Sequence, residues 1–234
     1  MREIVFDTET TGLDPSTGDR LVEIGCIELV NRFPTGNTFH RYLNPERDMP
    51  EPAFKVHGLS IDFLNDKPLF ASIVDELVEF LGDAPLVAHN AMFDLGFLNA
   101  ELKRAGRDVV ARERLVDTLM MARRKHPGGS NRLDDLCVRY KVDNSKRTKH
   151  GALLDAELLA EVYIEMTGAR QASLGLATLS VAGDRGRIAA VRQRPVPLAS
   201  RLTAEEQERH RAFVAKLGDA AIWNKYLATD KPAG

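Results

Sequence analysis

Residues 3–12 read Glu3-Ile4-Val5-Phe6-Asp7-Thr8-Glu9-Thr10-Thr11-Gly12: an apolar run that turns acidic and then stops at a glycine. The β-branched and aromatic content of residues 3–8 predicts a buried strand. Thr10-Thr11-Gly12 with Asp14-Pro15 predicts the turn that ends it. Side chains two apart share a strand face, so Val5, Asp7 and Glu9 point the same way, with Glu9 at or just past the strand end. Converging carboxylates in an apolar setting are costly without positive charge, and a divalent cation is one compensator. A solvated polar cap is the plainer alternative for Asp-x-Glu alone.

Working outward, residues 20–30 are rich in Val, Ile and Leu, and residues 37–43 follow Pro34-Thr35-Gly36, so three consecutive strands in a meander are expected. After a proline-rich loop at 45–52, helical periodicity covers 69–81 and 91–105, with further helices at 117–126, 130–140 and 152–166. The short apolar runs 86–88 and 115–116 precede helices and predict parallel additions to the sheet. Strands first, then alternating strand and helix, indicate one α/β domain with a mixed sheet, ending near residue 168. Residues 168–202, with scattered Gly, Pro and Arg and no sustained period, predict a flexible tether. Thr203-Ala-Glu-Glu206 then has capping-box spacing, which predicts a short amphipathic helix with Phe213 and Leu217, followed by Trp223, the sole tryptophan. A weakly packed terminal helix of the same domain is the alternative for this segment.

On the helix expected at 152–166, Asp155 shares its azimuth with Leu159, Val162 and Met166, which places this acid on the core-facing stripe. Asp94 stands one turn into the helix that begins near Asn90, flanked by Phe97 and Leu98. An acid near a helix start is also what the macrodipole favours. His150, beside Gly151 in a polar stretch five residues ahead of Asp155, suits a general base, or equally a surface histidine in a basic loop.

Composition narrows the class. No apolar run approaches the roughly 18 residues of a spanning helix, the acidic N-terminus lacks a signal-type apolar region, and Cys26 and Cys137 are too few for a disulfide framework or a thiolate zinc site. A cytoplasmic protein with reduced thiols and no membrane partner is expected. The net charge of −2 is a sum of unlike parts: residues 119–150 hold nine Lys or Arg against three acids, and residues 168–234 hold 11 against six. The first basic stretch is a candidate guide for a phosphate backbone, or simply solvated helix surface.

Together, Asp7-Thr-Glu9-Thr-Thr-Gly12, His89-Asn-Ala-Met-Phe-Asp94 and His150-Gly-Ala-Leu-Leu-Asp155 resemble the three motifs of the DEDD exonuclease superfamily. A histidine ahead of the last aspartate marks the DEDDh subclass, and the match resembles most the proofreading (epsilon) subunits of bacterial DNA polymerase III. The resemblance covers residues 1–167. It implies a ribonuclease H-like fold, a central mixed five-stranded sheet flanked by helices, and 3′–5′ hydrolysis of DNA releasing 5′-mononucleotides. It further implies two divalent cations, Mg2+ or Mn2+, held by Asp7, Glu9, Asp94 and Asp155. One would lower the pKa of a water whose proton His150 removes, and the other would stabilise the leaving 3′ oxygen. By the same resemblance Thr10, Gly12, Leu13 and His57 would contact the terminal nucleotide, and Phe93 either lies near it or is plain core.

In the tether, Gln171, Ser173, Leu174 and Leu176 resemble the short sliding-clamp-binding motif, with Leu176 where an aromatic is common. Residues 203–234, through Phe213, Leu217 and Trp223, resemble the segment that binds the polymerase alpha subunit. The implied partners are a single-stranded or mismatched DNA 3′ end, the alpha subunit and the beta clamp, within the bacterial replisome. Two other functions compete: a freestanding DEDDh exoribonuclease of ribonuclease T-like or oligoribonuclease-like type, which has no evident need for a tether, and a non-catalytic nucleic-acid-binding module, which would have lost the acids.

Overall fold

The opening apolar run forms β1 (Arg2–Thr10), the middle strand of a five-stranded sheet in the order β3-β2-β1-β4-β5. Strands β2 (Leu21–Val30) and β3 (Phe33–Tyr42) extend it as an antiparallel meander, and β4 (Leu86–Ala88) and β5 (Leu115–Asp117) add in parallel on the other side. This is the mixed sheet expected. The computed structural model describes residues 1–145, 147, 149–169, 202–218 and 221–224. It divides into two compact units, Met1–Leu174 and Gly175–Gly234. Helices α1 (Glu51–His57), α2 (Ile61–Leu64), α3 (Phe70–Leu81), α4 (Ala91–Arg104), α5 (Thr118–Lys125), α6 (Leu133–Tyr140) and α7 (Ala152–Met166) belong to the first unit, and α8 (Ala204–Lys216) to the second.

Alternation along β1 builds two cores. Ile4 and Phe6 enter one apolar cluster with residues of α3 and α4, whereas Val5 enters another with Ala156, Leu159 and Val162 of α7. Burial of these faces is the main stabilising term, at roughly 25 cal/mol per Å² of apolar surface. Both cysteines lie buried as free thiols.

Among the differences from what was expected, three have a clear physical reason. The loop at 45–52 gives way to α1, because Pro52 sits in the first helical turn, where a missing N–H costs nothing. β3 starts at Phe33 instead of 37, and as an edge strand it tolerates Pro34. α6 starts at Leu133 instead of 130, since the Asn131 side chain is spent on the turn, donating to the Gly129 carbonyl at 2.9 Å. In the second unit the capping box between Thr203 and Glu206 is formed, and His210 meets Trp223 edge-on at 5.8 Å. Phe213, Leu217 and Trp223 are exposed. Gln171, Ser173, Leu174 and Leu176, with most of the 168–202 segment, lie outside the described residues.

One contact sets the height of α7 above the sheet. Gly25 of β2 pairs with Asp7 of β1, and a Cβ on Gly25 would fall 2.4 Å from the Leu153 backbone. Only a glycine lets the first turn of α7 descend this close, two residues before Asp155. Gly25→Ala must push backbone against backbone. It is expected to cost about 1–3 kcal/mol, the usual range for overpacking, and to be seen as a lower urea midpoint with unchanged slope. An unchanged midpoint would show that α7 is not held by this contact.

Candidate active site

Asp7 and Glu9 leave β1 on the α7 side, and Asp155 meets them from the first turn of that helix. Asp94 arrives from the first turn of α4, which packs with the opposite face of β1, and its Oδ1 accepts a 2.8 Å hydrogen bond from the Thr8 hydroxyl. The two helices thus approach from opposite faces of the sheet and deliver their acids to the end of one strand. Asp94 and Asp155 are only 3% and 2% exposed. A helix dipole favours an acid there by about 0.3–1 kcal/mol, too little to explain four carboxylates together.

A cavity of about 900 Å³ opens at this point, and Asp7, Glu9, Asp94, Asp155 and His150 all line it, with Phe93 and His89 beside them. Glu9, His150 and Asp155 each offer a ligand atom within 4.8 Å of the others. Phe93 also stacks against Phe97 at 5.0 Å, so it serves the cavity wall and the core together. Thr10, Gly12, Leu13 and His57 do not line the cavity. Thr10 follows Glu9 at the end of β1, its hydroxyl donates to the Gly12 carbonyl at 2.6 Å, and Leu13 is 84% exposed. His57 is buried, its Nδ1 accepts from the Leu59 N–H, and its Nε2 has no hydrogen-bond partner, with the Thr10 backbone nearby.

The acids are crowded enough to resist ionisation. Burial, then the neighbouring Asp94, Glu9 and Asp155, push Asp7 well above its usual range. Burial, then Asp155, Glu23 and Asp94, raise Glu9 to about 8, and burial raises Asp94 to about 7 although Thr8 hydrogen bonds oppose it. Burial works the same way on Asp155, but hydrogen bonds from His150 and Arg147 outweigh it and hold this carboxyl below its usual range. Three acids whose charge is opposed by burial and by one another, in a set of oxygen donors with one imidazole, fit a hard divalent cation.

His150 Nδ1 lies 3.0 Å from Asp155 Oδ2 and 2.7 Å from Arg147 Nη2. With Nδ1–H donated to Asp155, Nε2 keeps the lone pair that takes up a proton; with Arg147 donating to Nδ1, the opposite tautomer is favoured.

Four residues escaped the sequence reading. Thr8 anchors Asp94. Glu23, paired across the strands with Glu9 and bonded to His40 Nε2 at 2.7 Å, adds to the repulsion on Glu9. Asp134 lines the cavity and accepts from Arg147 at 2.6 Å. Arg147, assigned with its neighbours to a phosphate-guiding or solvated surface, is instead turned inward onto Asp155, its side chain 8% exposed. Strand alternation signals Glu23, as an acid on a buried strand; nothing local signals the direction of Arg147.

The sequence model of the exonuclease family (RNase_T) matches residues 4–163. Among solved structures, Exonuclease X in complex with 5′ overhanging duplex DNA is similar at TM-score 0.55 and 25% identity, over 70% of this chain and 90% of that one. The nuclease domain of 3′hExo, a DEDDh family member bound to rAMP, shares the fold at TM-score 0.62 and 17% identity, over 71% and 92% of the two chains. Fold and motifs define a DEDDh-type 3′–5′ exonuclease of ribonuclease H-like architecture. Curated relatives narrow this further: DNA polymerase III subunit epsilon of Rickettsia felis is 49% identical over 93% of this chain and 97% of that one, and that of Escherichia coli K12 is 45% identical over 95% and 97%. The chain belongs to the exonuclease family and, within it, to the DNA polymerase III epsilon subunits. The family implies divalent cations, and the acids present suit them. No helix among the described residues is long and apolar enough to cross a membrane.

The raised acids make a signed prediction. A carboxyl that binds its proton more tightly when folded contributes stability that is full below its unfolded pKa and is lost as pH rises through the folded one. For Glu9 that window runs from 4.5 to about 8, and for Asp94 from 3.8 to about 7. Chelator-treated protein should therefore lose melting temperature as pH rises across this window, and saturating divalent cation should restore most of the loss at the alkaline end. Equal slopes with and without cation would contradict the electrostatic reading of the cluster.

Proposed function

We propose that the protein is the 3′–5′ proofreading exonuclease of a bacterial replicative polymerase, hydrolysing the 3′-terminal phosphodiester of single-stranded or mismatched DNA. The observation that carries this reading is the convergence of Asp7, Glu9, Asp94, Asp155 and His150 on one cavity, in a chain that aligns with epsilon subunits over nearly its whole length.

In this reading Asp7, Glu9, Asp94 and Asp155 hold two cations, Mg2+ or Mn2+. Bound cations supply a lowered pKa for the attacking water and charge compensation at the phosphate and the leaving 3′ oxygen. His150, oriented through Nδ1 by Asp155, accepts the water proton as the attack proceeds in line, and must be neutral to do so. Arg123 and Arg132, which line the cavity, draw the phosphate backbone of the strand towards the acids. The terminal nucleotide rests against Phe93 and the backbone from Thr10 through Gly12 to Leu13. His57, whose buried Nε2–H lacks an acceptor, donates to it.

Beyond the catalytic unit, Gln171, Ser173, Leu174 and Leu176 engage the beta sliding clamp. The exposed Phe213, Leu217 and Trp223 form an apolar anchor for the alpha subunit, and the protein works in the cytoplasmic replisome, a reading supported by the epsilon-subunit relatives.

Asp7→Asn should lower exonuclease activity by more than about 100-fold, since it removes a cation ligand at the reacting centre. On the wild-type protein, mismatched DNA primers should be trimmed faster than paired primers or short RNA; preferential trimming of RNA would favour a freestanding exoribonuclease. A chain ending at residue 168 should cleave free single strands yet fail to pull down the alpha subunit or clamp. Retained association would refute the assignment of the C-terminal segment.

A further inference from the structure

The acid cluster already contains one positive charge. Arg147 sets its fork on Asp155, with Nε 2.6 Å from Oδ1 and Nη2 2.7 Å from Oδ2. Its Nη2 also meets His150 Nδ1 at 2.7 Å, and Nη1 donates to Asp134 at 2.6 Å. Both oxygens of Asp155 are therefore engaged, and the guanidinium attracts Asp7 and Glu9 through space as well. Bidentate arginine–carboxylate bonds are among the strongest hydrogen bonds in proteins, and a planar fork suits them where an ammonium does not. Burial of Asp155 without a counter-charge would be costly, and Arg147 supplies one.

The same contact has a second effect. Arg147 draws on both oxygens of Asp155, and Oδ2 faces His150 as well, so the carboxylate has fewer and weaker lone pairs to offer a cation, and like charges at this distance repel. We propose that Arg147 is the internal counter-ion of the metal site: it holds Asp155 and His150 in the cation-free protein and must release Asp155 when divalent cation binds. Cation affinity is then set by competition with this one side chain. Arg147 is a positioning residue, acting through Asp155 and His150. Once displaced it keeps Asp134 as a partner, and its fork is free for the substrate phosphate that enters the same cavity.

This rests on the reading of the acids as a divalent-cation site, and its test separates the two. Mn2+ binding to the full-length protein is measured by titration calorimetry without DNA, for wild type, Arg147→Gln, Arg147→Lys and Arg123→Gln. Arg123 lines the same cavity, whereas among the described residues the ion pairs of Asp155 are made by Arg147 and His150. Losing a charged hydrogen-bonding competitor is expected to tighten Mn2+ binding of Arg147→Gln by at least about fivefold. Arg147→Lys should tighten it too, because it keeps the charge and loses the fork, whereas Arg123→Gln should change it less than about twofold. In chelator both Arg147 variants should melt below wild type, and saturating Mn2+ should narrow the gap. Binding by Arg147→Lys equal to wild type would assign the effect to through-space charge and overturn the proposal. Weaker binding by both variants would do the same, by making Arg147 a support of the metal site. If wild type itself takes up no Mn2+, the metal-site reading fails and the proposal with it.

Discussion

Four carboxylates brought to the end of one strand repel one another, and the rest of the molecule is arranged so that they meet nonetheless. Asp7 and Glu9 come from alternate positions of β1, and Asp94 and Asp155 from helix first turns on opposite faces of the sheet. Apolar burial on both faces of β1 supplies the stabilisation that offsets this repulsion. Burial and the neighbouring acids push the carboxyl of Asp94 up to about 7 and that of Glu9 up to about 8. A site of this kind is pre-organised for positive charge: the folding energy spent on placing the ligands does not have to be found again when cations and a phosphodiester arrive.

Placement depends on features remote from chemistry. Gly25 admits the first turn of α7 to within backbone contact of the sheet. The Thr8 hydroxyl ties Asp94 to β1. Arg147 ties Asp155 to the loop that carries His150, and Asp134 holds the far side of that guanidinium. Each anchors one member of the cluster from a different element, so the acids are fixed relative to one another by the whole domain and by no single loop.

Much of this was legible in the sequence, because the signals are periodic. Period-two alternation placed Asp7 and Glu9 on one face with Val5, and the helical stripe through Leu159, Val162 and Met166 turned Asp155 inward; all three apolar partners are buried with Val5 in one cluster. The mixed sheet followed from strands first and alternation afterwards. What escaped was non-periodic. Helix α1 carries in its first turn a proline that also reads as loop, and the close approach at Gly25 depends on a residue more than a hundred positions away. Arg147 lies in a basic stretch whose average character is solvated surface, and only the fold shows that one of its members faces the acids.

The central claim is that this cluster binds divalent cations for phosphodiester hydrolysis. Anomalous diffraction from crystals grown with Mn2+ addresses it most directly. Strong anomalous peaks bounded by Asp7, Glu9, Asp94 and Asp155 are predicted. Saturating Mn2+ with no peak among these carboxylates would contradict it.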